Sequence, residues 1–229
     1  MSFSLCETTI SFVASNVGRV GVIDKALLVL GSLEQGPRSL AELVEESGLS
    51  RATAHRLAVA LEGHGLVRRG PDGRFLLGYR LLSFGRAAAS QIPLVDVAQP
   101  HLVRLRDETG ESAQLYVRDG DERVCVAVAE SQYGLRTIVS VGSRLTMERG
   151  SAANVLRGEV PAAASHASVE EREPGVASVS AAITGPGGEI VAAVSVSGPI
   201  DRTTRQPDLR YGPAVRAVAA AMSAELGAR

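Results

Sequence analysis

Two short helices joined by a tight turn constrain this chain more than any other feature of its sequence. Ser39 and Glu42 have the spacing of a capping box, in which the serine hydroxyl accepts from the helix and the glutamate reaches back to the serine amide. Gly48 suits the left-handed residue that closes such a helix, and Ser50 can cap the next one. With a helix predicted over 22–33 before them, these elements form a helix-turn-helix pattern.

A β-hairpin is predicted directly after these helices. The runs 66–69 and 74–77 are apolar and basic, and Pro71-Asp72-Gly73 forms the turn signal between them. A hairpin in this place is a wing. The sequence therefore predicts a winged helix-turn-helix DNA-binding domain over 19–79.

Charge is distributed unevenly, although the net charge of −1 gives no overall case for nucleic acid or a membrane as partner. Arginines cluster after position 50, on the candidate recognition helix and in the wing. On the helix, guanidinium groups can bind guanine and hydroxyls can bind phosphate, and in the wing the arginines can contact phosphates or the minor groove. The candidate DNA contacts are Ser50, Arg51, Thr53, His55, Arg56, Arg68, Arg69 and Arg74. The alternative is that these residues are solvated charges on a small helical domain.

The rest of the chain is predicted to hold a helical linker and a sheet domain. Helices are expected over 81–91, closed by Pro93, and over 94–109, kinked or restarted at Pro100. From residue 111 onward, apolar residues recur at every second position, which is typical of strands. Hairpins, a further strand over 135–139 and a last helix from about Pro213 to Leu226 are expected there. The expected fold class is α+β, with a linker over 80–110 and an antiparallel sheet in a domain over 111–229.

No catalytic or metal-binding motif occurs in the sequence, so neither enzymatic activity, a cofactor nor a metal is expected. Cys6 and Cys125 have no metal-ligand spacing and form no disulfide framework. Cys125 lies in an apolar run, where a buried core thiol is expected and a redox role is the alternative.

No stretch is apolar enough to span a membrane, and no signal peptide is recognisable, so a cytoplasmic protein without a membrane partner is expected. Residues 1–18 are either a flexible arm or a stretch that is included because the start codon is misplaced.

Several runs resemble the IclR family (isocitrate lyase regulator type). The family's DNA-binding domain is similar to GVIDKALLVLGSLEQGPRSLAELVEESGLSRATAHRLAVALEGHGLVRR. Its effector domain is similar to DETGESAQLYVRDGDERVCVAVAE, EREPGVASVSA and AAVSVSGPI. Together they resemble the actinobacterial branch that controls leucine and related amino-acid metabolism.

The resemblance implies a transcription regulator that binds a pseudo-palindromic operator in double-stranded DNA as a homodimer or a dimer of dimers. It also implies a C-terminal domain similar to GAF-type sensors, which binds a small metabolite such as a small acid or an aromatic compound. Carried over by motif, the effector-binding residues are Met147, Ser151, Ala152, Val176, Ser178, Ser195 and Ser197.

One segment departs from the family pattern, because the stretch 157–169 is short and rich in Ala, Ser and Pro where the family continues through more helix. Three functions therefore stay open. They are a metabolite-modulated regulator, a constitutive regulator with a truncated and unresponsive sensor domain, and an enzyme built on the sheet domain.

Overall fold

The computed structural model describes residues 21–228. Contacts between residues divide the chain into two compact units, one ending at Arg86 and the other beginning at Ala87. This division falls inside the predicted linker, and the predicted arm over 1–18 lies outside the described residues. Within 21–228, no helix combines the length and the apolar character needed to cross a membrane.

From Gly21 to Leu77, the first unit contains three helices and a two-stranded antiparallel hairpin. In order, the elements are α1 (Gly21–Glu34), α2 (Leu40–Ser47), α3 (Arg51–Gly63), β1 (Val67–Arg69) and β2 (Phe75–Leu77). The predicted capping box is confirmed, since the Ser39 hydroxyl accepts from the Glu42 amide at 3.3 Å and Glu42 accepts from the Ser39 amide at 2.6 Å. The predicted helix-turn-helix and hairpin are thus both present.

A small apolar core joins these elements. Its buried members come from every helix and both strands, and they are Val29, Leu33, Leu43, Ala58, Leu61, Val67 and Phe75. Gly78, directly after the hairpin, packs against the residues before it, because its amide donates to the Leu66 carbonyl and its Cα lies directly against the backbone of Gly65. A β-carbon at Gly78 would stand 2.0 Å from the Gly65 carbonyl oxygen.

Two helices follow, α4 (Arg80–Ser90) and α5 (Pro93–Thr109). Pro93 is the first residue of α5, where its missing amide hydrogen costs nothing, so it begins the second helix. The restart predicted at Pro100 is not observed. Asp96 and Pro100 are both exposed, so water can reach the turn in which the proline removes a hydrogen bond.

The second unit is built on a six-stranded antiparallel sheet with the strand order β5-β4-β3-β8-β7-β6. Its remaining elements are β3 (Ser112–Asp119), β4 (Glu122–Ala129), β5 (Arg144–Thr146), α6 (Ser151–Leu156), β6 (Ser165–Val169), β7 (Val176–Thr184), β8 (Ile190–Pro199), α7 (Ile200–Thr203) and α8 (Pro207–Gly227). The predicted α+β class with an antiparallel sheet is confirmed.

Two predicted elements differ in the structure. The segment 135–139 is not a strand, although Thr137 and Val139 are buried on either side of the exposed Ile138. The carbonyl of Thr137 accepts from the Ser112 hydroxyl instead of entering a ladder, and Arg144–Thr146 pairs with β4 in its place. The last helix begins at Pro207, where the missing amide hydrogen of a proline costs nothing, and not at Pro213, which lies exposed inside the helix.

The two faces of the sheet have different chemistry. One face packs its apolar side chains against α5 and α8, forming the main core with residues such as Leu102, Val194 and Met222. The other face carries α6 over its apolar part, where Tyr116, Cys125 and Val155 are buried, and hydroxyl side chains over the remainder. This polar remainder is where a site can form.

Replacing Gly78 with alanine is expected to destabilise the first unit by about 3 kcal/mol or more, because the added methyl group meets backbone that cannot rotate away. Gly31→Ala is the matched control, since a β-carbon there has nothing within 4 Å and a helical alanine gains about 0.5–1 kcal/mol. Urea denaturation followed by circular dichroism measures both. An unchanged urea midpoint for Gly78→Ala would contradict the close approach of Gly78 to the Gly65 backbone.

Candidate functional sites

The helix α3 presents one continuous exposed face. With a period of 3.6 residues, Ala54, Ala58 and Leu61 face the core of the first unit. The exposed positions on the opposite side are Arg51, Ala52, His55, Arg56, Val59 and Ala60. This face has the length and the mixed polar and methyl character of a helix that reads base edges.

Three predicted residues on this face have free polar groups. Arg51, His55 and Arg56 make no side-chain hydrogen bond or ion pair with any of residues 21–228. Their donors are therefore available to an external partner. A shallow depression lined by Leu40, Arg51, Ala52 and His55 lies at the start of the helix.

Two other predicted residues serve the helix itself. The Ser50 hydroxyl accepts from the Thr53 amide at 3.3 Å and donates to the Thr53 hydroxyl at 2.9 Å. Ser50 is thus the N-cap, and Thr53 is half-buried beside it. Any contact that these hydroxyls make with a phosphate has to coexist with the cap.

Arg74 of the wing is held by the capping box. Its Nη2 lies 2.6 Å from both carboxylate oxygens of Glu42. The hydroxyl and the amide of Ser39, together with Arg74, lower the pKa of Glu42 to about 2. The same carboxylate therefore caps α2 and positions the wing.

The other two wing arginines lie on aromatic rings. The Arg69 guanidinium is 4.3 Å from the Phe75 ring centre, and its Nε is 3.2 Å from Glu62. The Arg68 guanidinium is 4.8 Å from the ring centre of Tyr79. Both side chains are held in place before any partner arrives.

Sequence reasoning missed the apolar part of the α3 face. Ala52, Val59 and Ala60 alternate with the arginines on the exposed side, and small apolar groups there can contact thymine methyl groups. The helical period alone could have indicated them, because they lie opposite the predicted apolar stripe.

A second site lies on the polar face of the sheet in the second unit. Strand pairing puts hydroxyl, amide and imidazole side chains opposite each other in two adjacent rows that cross four strands. The first row is Ser168, Ser178, Ser197 and Ser112, and the second is His166, Ser180, Ser195 and Gln114. The rows form a continuous polar floor.

Hydrogen bonds link this floor to α6. The Ser151 hydroxyl, in the first turn of α6, lies 2.7 Å from that of Ser178 and 2.8 Å from that of Ser180. Ser180 in turn donates to Ser195 at 2.9 Å. These hydroxyls can both donate and accept, so they can exchange partners with a bound polar ligand.

The cavity above this floor brings together six of the seven predicted effector-binding residues. They are Ser151, Ala152, Val176, Ser178, Ser195 and Ser197. Met147 lies instead in the apolar cluster beneath α6. The lining residues that sequence reasoning missed are Tyr116, Arg123, Gly150, Ser168, Arg172 and Glu173.

The cavity is narrow, with a volume of about 30 Å³. That volume holds a water molecule or two and is smaller than a metabolite. A ligand therefore has to displace side chains from the mouth, where Arg172 and Glu173 are partly or fully exposed.

Burial shifts the pKa values of two ionisable groups in the cavity wall. Burial is the main cause that raises the pKa of Tyr116 above its ordinary value, so its hydroxyl stays protonated and can donate. Burial lowers the pKa of Arg123 to about 10, which leaves the guanidinium charged at neutral pH. Among residues 21–228, no group of histidine, cysteine and carboxylate side chains has the arrangement of a metal site.

Comparison with protein families covers both units. The model of the IclR helix-turn-helix domain matches residues 22–71, and the model of the bacterial transcriptional regulator IclR C-terminal domain matches 86–168 and 159–224. The chain belongs to the IclR family.

Curated relatives agree with this assignment. The HTH-type transcriptional regulator KipR of Bacillus subtilis is 29% identical over 158 residues, which cover 69% of this chain and 63% of KipR. The transcriptional repressor IclR of Escherichia coli is 24% identical over 242 residues, with 88% of each chain covered. The alignment with Escherichia coli IclR spans 242 positions, more than the 229 residues of this chain. Escherichia coli IclR therefore has residues that this IclR-family protein lacks.

Solved structures share the fold. The IclR of Thermotoga maritima has a TM-score of 0.75 at 24% identity and covers 91% of this chain and 100% of its own. An IclR homolog from Microbacterium hydrocarbonoxydans, complexed with 4-hydroxybenzoate, has a TM-score of 0.74 at 20% identity, with 91% and 100% covered.

The Glu42 carboxylate is expected to make the first unit sensitive to acid. Because its pKa in the folded chain is below the ordinary 4.5, its stabilising effect is complete above pH 4.5 and is lost as the pH falls toward 2. The stability difference between wild type and Glu42→Gln should therefore shrink between pH 4.5 and 2. Urea midpoints across this range measure it, with Glu45→Gln, on the exposed side of the same helix, as control. A stability difference that stays constant between pH 4.5 and 2 would refute the lowered pKa of Glu42.

Proposed function

We propose that this IclR-family protein is a sequence-specific DNA-binding transcription regulator whose operator binding is modulated by a small metabolite. The observation that carries the proposal is the outer face of α3, where Arg51, His55 and Arg56 are free beside a wing of positioned arginines. The family match over both units supports it.

In this proposal α3 enters the major groove. Arg51 and Arg56 bind guanine edges, and Ala52 and Val59 contact thymine methyl groups. His55, Ser50 and Thr53 contact the backbone or neighbouring base edges near the helix start.

The wing arginines contact phosphates. Arg68 and Arg69 bind them from their positions on aromatic rings, and Arg74 does so by exchanging the Glu42 carboxylate for a phosphate. That exchange replaces one anion by another, so we expect Arg74 to contribute less to DNA affinity than a free arginine would.

A homodimer or a dimer of dimers would place two such helices on a pseudo-palindromic operator. Apolar side chains on α1 and α4 are exposed in the single chain, which supports an association surface on these helices. They are Val22, Ile23, Leu27 and Leu28 on α1, and Leu82 and Phe84 on α4. In the part of the chain that the structure describes, α4 has no buried residue.

The cavity of the second unit is the proposed sensor site, in a domain of the GAF-like type. The serine floor suits a small polar metabolite, and 4-hydroxybenzoate in the Microbacterium homolog supports a small acid. Ligand binding would favour one arrangement of the sensor domains, and α4 and α5 would transmit that preference to the DNA-binding domains. We place the regulated genes in leucine-type amino-acid metabolism on the sequence resemblance, and the protein in the cytoplasm.

A constitutive regulator is the second candidate. The cavity of about 30 Å³ and the short stretch 157–169 favour it, because a truncated wall could leave no room for a ligand. An enzyme on the sheet domain gains no support from Cys125. Burial raises the pKa of this thiol to about 11, which keeps it protonated and weakly nucleophilic.

Arg51→Ala and Arg56→Ala are each expected to weaken operator binding by about 1–3 kcal/mol if the arginine reads a base. Fluorescence anisotropy on DNA upstream of the protein's own gene, compared with random DNA, measures this loss. Arg104→Ala, an exposed arginine in the second unit, is the control. Equal losses on specific and random DNA would refute base reading.

Ser195→Ala should weaken binding of the metabolite about five- to tenfold, because one hydrogen bond to the floor is removed. The measurement is calorimetry with branched-chain amino acids and their keto-acid precursors, with operator release followed by anisotropy. Ser140→Ala, an exposed serine of the same unit, is the control. Specific DNA binding that ignores every compound would favour the constitutive regulator.

A further inference from the structure

We propose that the free edge of β6 is an interface between two copies of this chain, where it pairs antiparallel with the same edge of a second copy. The pairing would join two six-stranded sheets into one continuous sheet. This inference goes beyond the proposed function, because it concerns a surface of the second unit that is neither the DNA-binding face nor the sensor cavity.

The outer edge of β6 carries unpaired main-chain groups. The strand is the last in the sheet and pairs only with β7. The amide of Glu170 donates to the Val176 carbonyl, so every second residue from there back along β6 also turns its main-chain groups toward β7. None of the outward amides and carbonyls has a hydrogen-bond partner among residues 21–228. The residues that carry them are Ser165, Ala167 and Val169.

The two edges of this sheet are built differently. At the opposite edge, β5 has only three residues, and its Arg144 pairs with Asp119 and Glu122. Short length and charged side chains are usual protections of an edge strand. The five residues of β6, SHASV, include no lysine, arginine or proline, and their register against β7 has no bulge. An unprotected edge of this kind is a template for another strand.

The two faces of β6 are covered, whereas its edge is open. On one face the Ser165 hydroxyl accepts from Arg216 of α8 and donates to Asp208 of the same helix. On the other face the His166 ring lies 2.7 Å from the side-chain amide of Asn154 on α6. Another strand can therefore approach only in the plane of the sheet.

The stretch before β6 does not cover the edge. Residues 157–164 connect α6 to β6 and form a turn, in which the Ala164 amide donates to the Pro161 carbonyl. They form no ladder with β6. The C-terminal family model matches the chain in two pieces, 86–168 and 159–224, so the break in the match falls on this stretch. The open edge thus lies where this chain departs from the family model.

A second copy suits this edge because the strand is complementary to itself. With a two-fold axis at Ala167, this residue lies opposite its own counterpart and Ser165 lies opposite Val169 of the second copy. Each of these pairs exchanges two main-chain hydrogen bonds. The charged residues 170–173 then lie opposite 161–164, a proline and three alanines, so no like charges face each other.

Ala167→Pro tests the interface, because it removes the outward amide at the axis and leaves the ladder with β7 intact. Analytical ultracentrifugation of the full chain is expected to show half the wild-type mass. Ala162→Pro is the matched control, since a proline is favoured at the second position of the turn closed by Pro161 and Ala164. This control should keep the wild-type mass. Circular dichroism checks that both variants fold.

A second background separates this interface from association through the first unit. Leu82→Glu places a charge on the exposed surface of α4, which is proposed above as an association surface. Ala167→Pro is expected to halve the mass in this background as well. The result therefore does not depend on whether the DNA-binding units associate.

Hydrogen exchange of the wild-type chain needs no variant. The outward amides of β6 lack an acceptor in the single chain, so they exchange fast in dilute protein. Mass spectrometry of the peptide that carries 165–169 should show them exchanging at least tenfold more slowly once the chain is assembled. Fast exchange at every concentration, or a wild-type mass for folded Ala167→Pro, would overturn the inference. An edge that is covered by a different protein would give the first of these results.

Discussion

The pairing of β3 with β8 is the interaction on which the second unit depends. Each of these strands belongs to its own hairpin, and their antiparallel ladder joins the two hairpins into one sheet. The register places Ser112 opposite Ser197 and Gln114 opposite Ser195. Because side chains alternate along a strand, this single register puts the apolar residues against α5 and α8 and the hydroxyls on the other face. A slip of one residue would exchange core and cavity.

Arginine is used in two physically opposite ways in this protein. In the first unit, the wing arginine Arg74 is paired with Glu42 and lies partly in solvent, so its charge is compensated and screened. In the second unit, Arg123 is buried with its Nε–Nη2 edge unpaired. The free energy of unfolding therefore gains little from the paired surface arginine, whereas an unpaired buried one lowers it.

The shortened stretch after α6 changes the cavity rather than the sheet. The helix α6 has six residues, and β6 follows at Ser165 with its full register against β7. The floor of serines is therefore complete, while the wall above it consists of short loops and the side chains of Arg172 and Glu173. The narrow volume of the cavity, about 30 Å³, is consistent with this geometry.

The sequence by itself determined the local elements: the caps at Ser39 and Ser50, the helix-turn-helix, the wing and the hairpins, because each depends on neighbouring residues. It also indicated the serines of β7 and β8 through their resemblance to a known family. Only the tertiary structure decided that 135–139 forms no strand, that Met147 packs in the core and that Arg123 lines the cavity. These facts depend on strand order and on contacts between distant segments, and the alternation of polar and apolar residues does not encode which strands become neighbours.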